Sequence, residues 1–77
     1  MNKRQKLIVF RGNRSQLAMA SQYGVTQQTW SNWEQGKTIP DPYTMKQLEI
    51  DSGFSMEKLF FDIFNKNKLL KKTKATA

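Results

Sequence analysis

The sequence predicts an all-α fold, a compact bundle of five short helices, and three observations carry that prediction. Apolar residues recur at i, i+3, i+4 and i+7 along most of the chain, as helices buried on one face require. Val, Ile and Thr nowhere alternate with polar residues over a useful length, so strands are not expected. Helix-capping residues and glycines punctuate the pattern at short intervals. A chain of 77 residues has length for one domain, and it contains no internal repeat.

The first helix carries Leu7, Phe10 and Arg11 on one face, and Gly12-Asn13 stops it by tolerating a positive φ. Ser15 is a good N-cap for the second helix, whose inner face is Met19, Ala20 and Tyr23. Gly24 ends it, Val25 is a buried hinge, and Thr26 caps the third helix, which runs to Gln35-Gly36. "KTIPDPYT" is a loop, and the fourth helix starts near Pro42 to Thr44, with Met45, Leu48 and Ser52 inward and Gly53 at its end. Ser55 caps a fifth helix bearing Met56, Leu59, Phe60, Ile63 and Phe64 on one stripe. Residues 1–64 thus form the domain. From residue 65, "NKNKLLKKTKATA" loses the pattern and reads as a fraying, basic tail.

Composition narrows the function classes. The absence of Cys and His removes disulfides and the usual zinc ligands, so no metal or other cofactor is expected. The acids are scattered, Asp41 and Asp51 read as turn residues, and no Gly-rich phosphate loop occurs; enzyme chemistry has no visible centre. No apolar run is long enough to span a bilayer, and Leu7 to Phe10 is too short for a signal peptide. The chain is therefore expected in the cytoplasm. Its net charge of +7 is unevenly placed: residues 1–33 and 63–77 carry five cations each and no acid, around an acidic middle. Two basic ends point to a polyanionic partner, nucleic acid before anionic membrane.

"VTQQTWSNWEQG" holds both tryptophans among uncharged amides. With Gln27 at zero and about 100° per residue, Ser31 falls near about 40°, Gln35 about 80°, Gln28 about 100° and Asn32 about 140°. Trp33 and Trp30 fall opposite, at about 240° and 300°. One face is built for burial and the other offers amides. The tryptophans therefore read as core rather than as stacking platforms for single strands.

Ala20, Gly24 and Val25 supply what two helices crossing steeply on a short turn need: a small residue, a left-handed turn and an apolar plug. With "SQ" opening the second helix, "YGVTQQTWSNWEQGK", "IPDPYTMKQLE" and "GFSMEKLFF", the chain resembles the Xre-type helix-turn-helix family, which contains Cro and the lambdoid phage repressors. The similarity covers roughly residues 5 to 61. The first turn, "FRGNRSQ", is shorter than in many members, and Leu17 stands where a polar residue is usual.

The resemblance implies a lambda-repressor-like domain that binds specific duplex DNA, with the third helix in the major groove. It implies a transcriptional regulator, a repressor of phage or mobile-element type. The amides agree for an independent reason: Gln and Asn offer a donor and an acceptor in one plane, the pattern that adenine N6 and N7 require. Thr26, Gln27, Gln28, Ser31 and Asn32 are the expected base readers. Arg14, Ser15, Gln16, Gln35, Lys37 and Thr38 are the expected phosphate contacts, Gln35 by its family position. The family often pairs an Arg of the first helix with a Glu beside the inner face of the third, which here gives a structural Arg11–Glu34 ion pair.

Such units usually bind palindromic half-sites as dimers. Phe61 lies about 100° past Phe60, outside the apolar stripe, and Phe64 lies at its edge. A weak homodimer through Phe61 and Phe64 is the expectation, with no small-molecule ligand and no membrane partner. The alternative reading is a protein-binding adaptor or antitoxin-like module whose last helix meets a partner. Attachment of "LFFDIFNKNKLLKK" to a membrane ranks below both.

Overall fold

The computed structural model describes residues 3–64, so the basic tail expected at 65–77 lies outside the described residues. The helices are α1 (Gln5–Arg11), α2 (Gln16–Gln22), α3 (Gln27–Gln35), α4 (Pro42–Ser52) and α5 (Met56–Leu59). Residues 61–64 add a further helical turn, and no strand occurs among the described residues. The architecture is an all-α bundle of about six short helices.

Local chemistry sets most of the boundaries. Ser15, Thr26 and Ser55 each precede a helix in extended conformation, and each hydroxyl accepts the N–H three residues on, from Ala18, Thr29 and Lys58. That bond satisfies one of the donors a helix start leaves over. Gly36, at φ 78°, closes α3 in the left-handed conformation that glycine adopts without a Cβ clash. Gly24, at φ 70°, makes the turn between α2 and α3, where Val25 N–H donates to the Ala20 carbonyl at 2.9 Å. A Cβ on Gly24 would meet nothing within 4 Å, so its φ alone demands glycine there.

The core is formed by Leu7, Met19, Ala20, Trp30, Trp33, Met45, Leu48, Leu59 and Phe60, all buried. α2 and α3 form the most extensive helix pair. Ala20 is fully buried, Val25 packs at the core's edge rather than wholly inside it, and the Tyr23 ring stacks on Trp30 with centroids 5.7 Å apart.

The C-terminal region departs from the expected single fifth helix. The helix breaks at Phe60, whose φ of −118° and ψ of 51° are non-helical. Leu59 and Phe60, on either side of the helix end, are both fully buried. Past the break the Phe60 carbonyl accepts from Ile63 and Phe64 N–H to start the next turn. Asp51 also differs from its reading as a turn residue. It lies in the last turn of α4, where its carboxylate accepts from the Tyr23 hydroxyl at 2.6 Å and from Gln47 at 3.2 Å. Burial, then that bond to Asp51, push the Tyr23 hydroxyl well above the ordinary phenol range.

Candidate nucleic-acid interface

α3 carries two chemically distinct faces. Trp30 is fully buried and Trp33 is 4% exposed, with their rings tilted and 5.5 Å apart. On the other side Gln27 and Gln28 are exposed, while Ser31, Asn32 and Gln35 are half-buried. The polar side chains are tied to one another along the helix. Gln28 Nε2 donates to Asn32 Oδ1 at 3.0 Å, and Gln35 Nε2 donates to Ser31 Oγ at 2.7 Å. Such i,i+4 bonds keep long side chains in one arrangement and lessen the entropy lost when a ligand orders them. Thr26 uses its hydroxyl as the helix cap, accepting from the Thr29 N–H and donating to the Thr29 hydroxyl.

Beneath this face lies the Arg11–Glu34 pair. Glu34 is 3% exposed, and its carboxylate accepts from Arg11 Nε and Trp30 Nε1 on one oxygen, both at 2.6 Å. The other oxygen accepts from Arg11 Nη2 at 3.3 Å and Gln16 Nε2 at 3.0 Å. The cluster fixes α1, α2 and α3 through one side chain. Burial alone raises the Glu34 carboxyl pKa, but the bonds from Arg11, Gln16 and Trp30 outweigh it and hold the group below the usual carboxylate range.

The residues expected at phosphates divide into two sets. Lys37 and Thr38 follow α3 and are exposed. Gln16 and Gln35 line one cleft with Lys3, Ile8, Arg11 and Glu34, so the start of α2 and the end of α3 share it. Arg14 and Ser15 have structural bonds, as Gln16 and Gln35 have to Glu34 and Ser31. The Arg14 guanidinium donates to the Arg11 and Phe10 carbonyls at 3.1 and 2.5 Å and lies over the Phe10 ring, and Ser15 caps α2. These groups close the turn between α1 and α2, with Arg14 serving the carbonyls that end α1. Of the two aromatics expected in a dimer patch, Phe61 is 62% exposed, whereas Phe64 is half-buried and packs against the core.

Sequence reasoning missed Arg4. It is only 5% exposed, and its guanidinium bonds to Asp62 and to the Trp33 and Thr38 carbonyls while lying 5.2 Å from the Phe60 ring centroid. Its one sequence signal is a cation three residues before Leu7, the first buried leucine, a spacing shared by many solvated residues. Among the described residues, every buried side-chain N and O has a partner, and no cluster of three or more His, Cys, Asp or Glu could hold a metal. Among the same residues no helix is long and apolar enough to cross a membrane.

In comparisons with known proteins, no family model, curated protein or solved structure matches this chain.

The carboxylates of Glu34 and Asp62, each tied to an arginine, make stability depend on pH. The Arg4 hydrogen bond is the main reason Asp62 also sits below its ordinary range, against a smaller effect of burial. A carboxyl whose folded pKa is depressed stabilises the fold above its unfolded pKa, and that contribution is lost as pH falls through the folded pKa. Unfolding midpoints in urea are therefore expected to hold steady from neutrality to about pH 5 and to decline below about pH 4. A midpoint unchanged down to about pH 2 would contradict the two tied carboxylates.

Proposed function

We propose that this protein is a lambda-repressor-like helix-turn-helix regulator that binds specific duplex DNA, reading bases in the major groove with α3. The observation that carries the reading is the two-faced α3. Its tryptophans anchor it in the core, its amides lie on the opposite side, and the exposed Lys37 and Thr38 follow its Gly36 cap. An amide supplies a coplanar donor and acceptor to a base edge, and a cation just past the helix suits a backbone phosphate. The net charge of +7 favours association with a polyanion. In this reading Thr26, Gln27, Gln28, Ser31 and Asn32 meet bases. Arg14, Ser15, Gln16, Gln35, Lys37 and Thr38 meet the backbone, Arg14 and Ser15 from the turn that they close.

Selection of bound sequences from a random duplex library tests the proposal, because a reader enriches one site and a general polycation enriches none. On the selected site Gln28→Ala is expected to cost about 1–3 kcal/mol, with binding to random duplex nearly unchanged. Anisotropy titrations on both duplexes measure the difference. Equal losses on the two would rule out base reading by Gln28.

The proposal includes a weak homodimer on paired half-sites, formed around the exposed Phe61 of the 61–64 turn. Phe61→Ser is expected to abolish cooperative binding to a palindromic site while circular dichroism stays helical. A wild type that sediments as a monomer at high concentration and binds without cooperativity would exclude the dimer. Capture of a different protein through Phe61, with no DNA site selected, would favour the adaptor reading instead.

A further inference from the structure

The loop that carries Lys37 and Thr38 is held by residues distant in sequence. Arg4 Nη1 donates to the Trp33 carbonyl at 2.8 Å and to the Thr38 carbonyl at 2.6 Å, which lie on either side of the α3 C-terminus. Arg4 Nε and Nη2 donate to the two oxygens of Asp62 at 2.9 and 3.1 Å, on the 61–64 turn. The Arg4 backbone N–H donates to the Glu34 carbonyl at 2.8 Å. Within the loop, the Lys37 N–H bond to the Asn32 carbonyl at 2.9 Å fixes the first residue, and the Arg4 bond fixes the second.

We propose that Arg4 and Asp62 form a clasp that positions the Lys37–Thr38 loop, so that docking of the 61–64 turn sets how well this loop meets the DNA backbone. The inference rests on the DNA-binding reading above. The two ends of the clasp differ in accessibility: the Arg4 side chain is 3% exposed and the Asp62 side chain 37%. Phe61 is adjacent to Asp62 on the same turn and is exposed. A second copy bound at Phe61 therefore acts on the turn that carries Asp62, and the clasp transmits its docking to the end of α3. Arg4 and Asp62 are positioning residues, acting on DNA through the loop.

Simple electrostatics predicts the opposite sign for the decisive variant. Asp62→Asn removes an acid from a chain of net charge +7, and long-range attraction to DNA then rises. With the clasp opened, the loop loses its place and affinity falls.

The experiment is a set of anisotropy titrations on the selected duplex over a salt series, for wild type, Asp62→Asn, Lys37→Ala and the double variant. Circular dichroism and denaturant midpoints establish that each is folded. Lys37→Ala is expected to weaken binding on all sequences and flatten the salt slope by about one unit. Asp62→Asn is expected to weaken binding about threefold to tenfold and flatten the slope in the same direction, with the double variant no worse than Lys37→Ala. Tighter binding by Asp62→Asn, or fully additive losses, overturns the proposal. Should Asp62→Asn fail to fold, Asp62→Glu keeps the charge, displaces the carboxylate and replaces it in the same comparison.

Amide hydrogen exchange without DNA separates the clasp from the DNA reading. Asp62→Asn is expected to speed exchange of the Lys37 N–H about tenfold relative to that of Trp30 inside α3. An unchanged ratio overturns the clasp. A wild type that binds no duplex overturns the DNA-binding reading and the loop's role in it, while the exchange ratio still reports on the clasp itself.

Discussion

Replacing Glu34 with Gln is expected to lower the free energy of unfolding by about 3–5 kcal/mol, the range for breaking a buried pair from one side. The carboxylate is 3% exposed and meets four donors: Arg11 Nε, Arg11 Nη2, Trp30 Nε1 and Gln16 Nε2. Each oxygen receives two of them. An amide of the same shape turns one acceptor oxygen into an NH₂, so in either rotamer two of the four donors face another donor. Arg11 meanwhile keeps its charge without a counterion. Small domains hold only about 5–15 kcal/mol in total, so this variant should lie near the edge of folding. Urea midpoints and slopes at neutral pH measure the loss, and a change under about 1 kcal/mol would contradict the buried tie. Arg11→Met should cost less, because Trp30 and Gln16 still bond to Glu34 and the Arg11 side chain is 23% exposed. The double variant should lose less than the sum of the two, because both remove the same interaction.

Arg4→Met is expected to cost about 3 kcal/mol, the lower end of the range for a buried pair. Methionine fills much of the arginine's apolar volume, so the loss reports chiefly on the guanidinium. Its removal leaves the Trp33 and Thr38 carbonyls without this donor and Asp62 without its cation. Asp62 is partly solvated and recovers some hydration, which places the value low in the range. Acid sensitivity should fall as well, since Asp62 no longer has a depressed folded pKa to lose. A variant as stable as wild type, with the same decline below about pH 4, would show that the guanidinium network adds nothing to the fold.

The two variants differ in how readily their sites are read from the chain. Glu34 lies one helical turn from Trp30, so their shared face follows from a spacing of four. Arg4 and Asp62 are 58 residues apart, and no local pattern relates them. The same division runs through the candidate interface. The opposition of Gln27 and Gln28 to Trp30 and Trp33 follows from about 100° per residue. The bond from Gln16 to Glu34 does not, because it depends on how α2 crosses α3. Ser15 reads as a cap from its place before α2, whereas the bonds from the Arg14 guanidinium to the Phe10 and Arg11 carbonyls depend on how the turn between α1 and α2 folds. A sequence presents the donors; the fold decides which acceptors reach them first.

By itself the sequence determined the helical class, the caps at Ser15, Thr26 and Ser55, the left-handed glycine stops and the two-faced α3. All of these rest on interactions between residues at most about four apart, where chain geometry fixes who meets whom. Only the tertiary structure decided the break at Phe60, the Tyr23–Asp51 bond and the burial of Arg4 against Asp62. Each of these depends on the crossing of distant helices. An arginine becomes a core residue when two carbonyls and a carboxylate from distant segments converge on it. Nothing within a few residues of Phe60 or Arg4 distinguishes these outcomes, because the energy that selects them comes from the opposite end of the chain.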